Sequence, residues 1–162
     1  MTHDSPQVGF NPLALLGAAI FPGLGHALGG DIKRGLCVAA GVLGLFVGGI
    51  AIGGIDVIDS KEDRVWFYGQ SLVGPLAFGV DYLHQSQFKV RETTSGIVRS
   101  AYPHEGRDPI TRAPIQGGTP PNRKSIGKMN EIGTLFATIA GMMNVIALID
   151  AGFPTRAKPK SK

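Results

Sequence analysis

The run spanning residues 35–55, GLCVAAGVLGLFVGGIAIGGI, holds 21 residues without a formal charge. An α-helix rises about 1.5 Å per residue, so this run would extend about 30 Å, the thickness of a bilayer's hydrocarbon core. A soluble domain offers such a run few homes, because its helices usually pair one apolar stripe with one polar face. Three further segments repeat the pattern. Residues 12–30 carry no Lys, Arg, Asp or Glu; residues 65–80 are apolar apart from Gln70 and Ser71 and are interrupted by Pro75; residues 132–149 are apolar around a single Asn. Only 17% of the residues are charged, against about 25% in typical soluble domains. These features predict an all-α integral membrane protein. Its form is a small bundle of about four hydrophobic helices, the first kinked or re-entrant at Pro22, with a largely irregular loop before the last helix. A soluble glycine-rich domain is the competing expectation.

The chain divides accordingly into a polar N-terminal segment (1–11), a membrane region with three hydrophobic segments (12–83), a Pro/Gly-rich basic loop (84–130), a last transmembrane helix (131–152) and a basic tail (153–162). The loop contains Pro103, Pro109, Pro114, Pro120 and Pro121 with little apolar periodicity, which favours extended, irregular backbone. No Lys or Arg occurs in the first 30 residues, so the opening does not read as a secretory signal. The single Cys37 excludes an intramolecular disulfide and reads as a small hydrophobe inside an apolar run. The net charge of +4 sits in loops and tail with little aromatic interleaving. That suits anionic lipid headgroups and argues against nucleic acid. The expected location is the plasma (inner) membrane, crossed several times. With four spans, ten Lys/Arg fall on the side of the 83–130 loop and six on the other, placing the loop in the cytoplasm and both termini outside.

Glycines within these runs have a physical use, since lipid supplies no hydrophobic drive for helix association and close backbone contact through small residues takes its place. Gly133, Ala137 and Gly141 recur every four residues, with Asn144 near the stripe; Gly44 with Gly48 and Gly49 with Gly53 repeat the spacing. These faces are expected to pack the bundle and to meet other membrane proteins. In the stretch FPGLGHALGGDIKRG, Pro22 removes a backbone donor and ends or kinks a helix, and Gly23 and Gly25 loosen the backbone beyond it. The stretch therefore predicts a packed joint between the first two helices.

The block NPLALLGAAIFPGLGHALGGDIKRG resembles the opening of a family of small bacterial multi-pass membrane proteins of unknown function that share a Pro-Gly-x-Gly-His motif. NEIGTLFATIAGMMNVIALIDA resembles that family's last helix. A looser similarity joins the first block to the double-transmembrane hairpin domain. Ala27 stands where a bulkier residue is usual, and Asp31 where a basic one is common. The resemblance implies a topology and no activity.

His26 is an ionisable side chain within an apolar segment, and such a residue is a functional candidate by default. The competing expectation is structural, with His26 bonding a carbonyl freed by Pro22. Asp81 and His84, three apart on one helix face, have the spacing of two metal ligands or of a carboxylate-oriented imidazole. With His26 they define the alternative function, a redox or transport component holding a metal or haem. Asp56, Asp59, Glu131 and Asp150 mark segment ends and are expected to reach water. GLGHALGG lacks the Lys-Ser/Thr of a phosphate loop, and Ser71 has no neighbouring base. The leading expectation is a non-enzymatic scaffold or accessory subunit without catalytic residues or cofactor.

Overall fold

A computed structural model describes residues 7–122, 125 and 128–156. Helix α1 (Pro12–Ile20) starts on the side chain of Asn11, which accepts the Ala14 N–H at 3.1 Å, and on Pro12, whose missing N–H costs nothing at a helix start. It stops before Pro22. Phe21 is extended, Gly23 takes a left-handed conformation (φ +83°), and α2 (Leu24–Leu28) turns back. Asp31 then caps α3 (Ile32–Gly53) by accepting the Arg34 N–H. After a short 3₁₀ turn (Ile55–Val57) come α4 (Arg64–Ser71) and α5 (Pro75–Gln87), and after an extended region α6 (Met129–Gly152).

Helices α3 and α6 are each long and apolar enough to cross a membrane, and they form the largest helix–helix interface. They run antiparallel. Gly49 and Gly53 near the end of α3 lie against Gly133 near the start of α6, while Arg34 at the start of α3 reaches Asp150 at the end of α6. A Cβ on Gly133 would sit 2.5 Å from the Gly49 carbonyl oxygen, which explains glycine at both positions.

The remaining hydrophobic helices are half-length. Helices α1 and α2 enter from the Asp150 end and return to it: Asn11 N–H donates to Gly152, and His26 contacts Asp150. Helices α4 and α5 enter from the opposite end and return there, where His84 meets Asp56 and the Ile58 carbonyl. The segment expected as one helix over 65–80 is thus broken in two, because Gly74 adopts φ +109°, a conformation closed to side chains, before Pro75. The two hairpins meet tip to tip. Gly74 packs on the Ala19 and Ile20 carbonyls, and Asn144 of α6 donates its amide to Leu72 O at 2.9 Å, with Val73 O and Ala18 O each at 3.5 Å. The core between the helices holds Val42, Phe46, Val57, Ile58, Val73 and Ala137.

The region before α6 is more ordered than its composition suggests. It forms β2 (Val90–Arg91) paired with β3 (Val98–Arg99), and β4 (Glu105–Arg107) paired with β5 (Pro114–Gln116), both antiparallel. β1 (Gln7–Val8) pairs with β6 (Thr155–Arg156), tying the N-terminal segment to the start of the tail; residues 157–162 lie outside the described part. The described chain is therefore mostly helical, with two long apolar helices, four shorter ones and small two-stranded ladders.

Candidate functional site

Polar side chains gather at the two ends of the bundle and at the mid-depth joint. At the Asp150 end, His26 Nε2 lies 2.7 Å from Asp150 Oδ2, and Arg34 reaches the same oxygen at 2.6 Å. His26 is buried, and its Nδ1 has no hydrogen-bond partner among the described residues. The histidine does not bond a carbonyl freed by Pro22. It ties the returning α2 to α6, and Arg34 draws α3 to the same carboxylate.

The opposite end is denser. His84 Nδ1 lies 2.9 Å from the Ile58 carbonyl, and Nε2 lies 2.9 Å from Asp56 Oδ1, off the line of a straight hydrogen bond. Asn122 donates to the same Asp56 oxygen at 3.1 Å. Asp81 faces another way, accepting the Ser60 N–H and hydroxyl and a bond from Gln85. Asp56 and Asp59, expected to reach water, are buried at 5% and 2% exposure, because the β-hairpins fold over them. Glu131 is exposed, as expected, and Asp150 is partly so.

The link between helices and hairpins is Lys89, whose side chain has no exposure. Its ammonium donates to Asp59 at 2.5 Å, to Glu62 at 2.7 Å and to Ser100 at 2.9 Å. Burial alone would lift the pKa of Asp59 and Glu62 and depress that of Lys89. The Lys89 bonds, with backbone N–H groups of Lys61, Glu62 and Ser100, outweigh it, so both carboxyls lie below their ordinary values and the ammonium above its own. All three stay charged at neutral pH. Arg99 adds a fork onto Glu105 (2.7 and 3.0 Å), joining β3 to β4, and Arg107 caps the end of α5 by donating to Ser86 O and Gln87 O.

The proposed ligands His26, Asp81 and His84 do not come together. His26 sits against Asp150, and His84 against Asp56, beside Val57, which packs on Gly133. From Gly133 to Asp150 is 17 residues of helix, about 25 Å. Among the described residues no group of three His, Cys, Asp or Glu has the arrangement of a metal site. The small-residue stripe does meet partners, but within the chain. Gly133 and Ala137 face Gly49 of α3, and Gly141 faces Gly69 and Leu72 at the end of α4. Sequence reasoning missed Lys89 and Asn122 altogether. Nothing local marked Lys89, because its partners Asp59 and Glu62 lie 30 and 27 residues earlier in the chain; Asn122 lies in the Pro/Gly-rich stretch and gave no signal either.

Between the end of α5, the 3₁₀ turn and the hairpins lies a cavity of about 670 Å³ lined by Asp56, Phe88, Ser100, His104, Thr119 and Asn122, among others. A family model of unknown function, DUF6677, matches residues 13–162. The chain belongs to the DUF6677 family. That membership covers the whole helical region and the hairpins, and it brings no assigned activity. No curated protein and no solved structure matches the chain significantly.

Proposed function

We propose that this DUF6677 chain is an integral protein of the plasma membrane, crossing it with α3 and α6 and dipping into it with two re-entrant hairpins, and that it serves as a non-enzymatic accessory or scaffold subunit. One observation carries the reading. Between the two polar ends the outward side chains are apolar, with large ones at Leu16 on α1, Leu28 on α2, Val47 on α3, Tyr68 on α4, Phe78 on α5 and Met142 and Ile146 on α6, and small ones such as Cys37, Ala40 and Gly44 between them on α3. Isolated apolar residues on a surface are ordinary, but a continuous belt between two polar layers is what a bilayer selects. The half-helices fit the same setting, since their broken backbone lies against protein rather than lipid. Among the described residues the end carrying the β-hairpins has eight Lys/Arg against three at the other, where Lys33 and Arg34 sit beside Asp150 rather than on the loop's side, and it faces the cytoplasm on this reading. The accessory role is supported by how the polar side chains are used. Lys89, Arg99, Arg107 and Asn144 all join one element to another.

The test uses single cysteines in a Cys37→Ala background. The protein should stay with the membrane in alkaline carbonate. An impermeant maleimide in intact cells should label Lys33→Cys and spare Ser95→Cys until the cells are opened. Release by carbonate, or labelling of both positions in intact cells, refutes the topology. The accessory role predicts discrete larger species after crosslinking in native membranes, and a chain that crosslinks to nothing argues against it.

A further inference from the structure

We propose that the joint where the two helical hairpins meet is a binding site for a dehydrated monovalent cation, sodium or potassium, held by helix-end carbonyls and the amide oxygen of Asn144. The inference stands on the packing of the joint and depends on neither the membrane reading nor the accessory role. Two prolines set the carbonyls free. In α1 the Phe21 N–H bonds Gly17 O; the next donor in that series would be residue 22, but Pro22 has no N–H, so Ala18 O keeps no helical partner. At the end of α4 each N–H bonds the carbonyl three residues back, Leu72 to Gly69, Val73 to Gln70 and Gly74 to Ser71. The next donor would be residue 75, and Pro75 has none to give Leu72 O. Ala18 O, Leu72 O and Val73 O converge on one point, the Asn144 amide nitrogen, at 3.5, 2.9 and 3.5 Å.

Two helix C-termini face that point, each bringing the negative end of its dipole. In the cation-free chain the amide nitrogen covers the carbonyls, and it does so at a cost. Asn144 is 1% exposed, and its Oδ1 has no hydrogen-bond partner among the described residues. A buried acceptor without a donor loses its hydration and gains nothing in return. Turning the side chain over removes that cost once a cation stands where the amide nitrogen was. Oδ1 then joins the three carbonyls, and four neutral oxygens surround the ion. Such a set selects the ligand. Carbonyl dipoles can replace the hydration shell of a monovalent cation, and half-helix C-termini with unwound backbone hold sodium in the same way. Calcium calls for carboxylates, which the set lacks, and magnesium gives up its water reluctantly. An anion is repelled by the dipoles that attract the cation.

The full chain in detergent would be unfolded thermally in choline chloride, then with sodium, potassium or calcium chloride in its place at equal ionic strength. Sodium, potassium or both should raise the unfolding temperature saturably above the choline value, as binding to the folded chain alone requires, and calcium should not. Asn144→Leu should abolish the response, whereas Gly44→Ala, where an added Cβ meets nothing within 4 Å, should keep it. Asn144→Leu also strands the carbonyls. Should it fail to fold, Asn144→Asp decides, because a carboxylate in place of the amide should bind the effective cation at least tenfold more tightly. Equal stability in choline, sodium and potassium overturns the proposal. So does a calcium response as large as the alkali one, a response undiminished in Asn144→Leu, or one not tightened in Asn144→Asp.

Discussion

Replacing Lys89 by methionine keeps most of the side-chain volume and removes the ammonium that holds the hairpins to the bundle. Three bonds disappear, to Asp59, Glu62 and Ser100. Removing one partner of a buried ion pair costs about 3–5 kcal/mol, because the other charge stays buried. The lower end applies here. Asp59 keeps the Lys61 and Glu62 N–H groups and the Gln85 amide, and Glu62 is about one-third exposed and screened by water. About 3 kcal/mol corresponds to roughly a hundredfold or more in an opening equilibrium. Hydrogen exchange reads that equilibrium locally. The amides of Ser100, bonded to Glu62, and Arg91, bonded to Arg112 O, should lose about a hundredfold protection, while the α3–α6 interface keeps its own.

The pH dependence provides the sharper check. In the native chain the Asp59 and Glu62 pKa values lie below their ordinary 3.8 and 4.5, so their contribution is full above those values and lost as pH falls through the depressed ones. Lys89 lies above its ordinary 10.5, so its contribution is full below that value and lost as pH rises through the raised one. Between about pH 5 and 10 native protection from this network is flat. Without the ammonium the Asp59 carboxyl loses its strongest lowering partner while burial, which raises it, remains, so it shifts upward and acid neutralises the stranded charge more readily. The deficit of Lys89→Met should therefore shrink between pH 7 and pH 4, and Lys89→Met/Asp59→Asn should recover much of it at pH 7. A deficit below about tenfold, or one unchanged across that pH range, refutes the assignment of Lys89 as the clasp.

Two further predictions separate the roles of the small and polar residues in the bundle. Gly133→Leu should abolish the α3–α6 contact, since the added Cβ alone meets the Gly49 carbonyl at 2.5 Å, whereas Gly44→Ala meets nothing within 4 Å and should be neutral or gain up to about 1 kcal/mol in helix propensity, both read by denaturant unfolding in detergent. Asn144→Leu should cost about 1–3 kcal/mol through the hairpin carbonyls it leaves unpaired, and a cysteine at Leu72 should become more reactive; an unchanged reactivity would show that Asn144 is not the joint.

Much of the bundle could be read from composition and breakers. The runs that became α3 and α6 declare themselves by length and lack of charge, and Pro22 marks the end of the first helix because a missing N–H acts locally. The second break was harder. Gly69, Gly74 and Gly79 look alike in the sequence, yet Gly69 packs on Thr138, Gly79 faces open space, and only Gly74 turns the chain. Nothing local separates them. The difference lies in the Ala19 and Ile20 carbonyls, more than fifty residues away. The buried charges were hidden for the same reason. Asp56 and Asp59 at the end of a long apolar helix resemble interfacial markers, and the hairpins that cover them contain the prolines and glycines that argued for irregular backbone.

Asn144 shows what a residue near a small-residue stripe can mean. A polar side chain deep in an apolar helix implies a partner, and a facing helix was the natural candidate. The actual partners are carbonyls at helix ends. Helices α1 and α4 point their C-termini toward one another, and each end leaves carbonyls without intrahelical donors and a partial negative charge. Two such ends brought together would repel. An amide with two N–H groups and no charge answers both without burying an ion, and its three carbonyl contacts are divided between them: Ala18 from one side, Leu72 and Val73 from the other. A lysine there would bring a charge to desolvate, and a leucine would leave the carbonyls bare. Opposed half-helices therefore require a donor-rich neutral side chain at their meeting point, and α6, the one helix packed along both, is where it has to be.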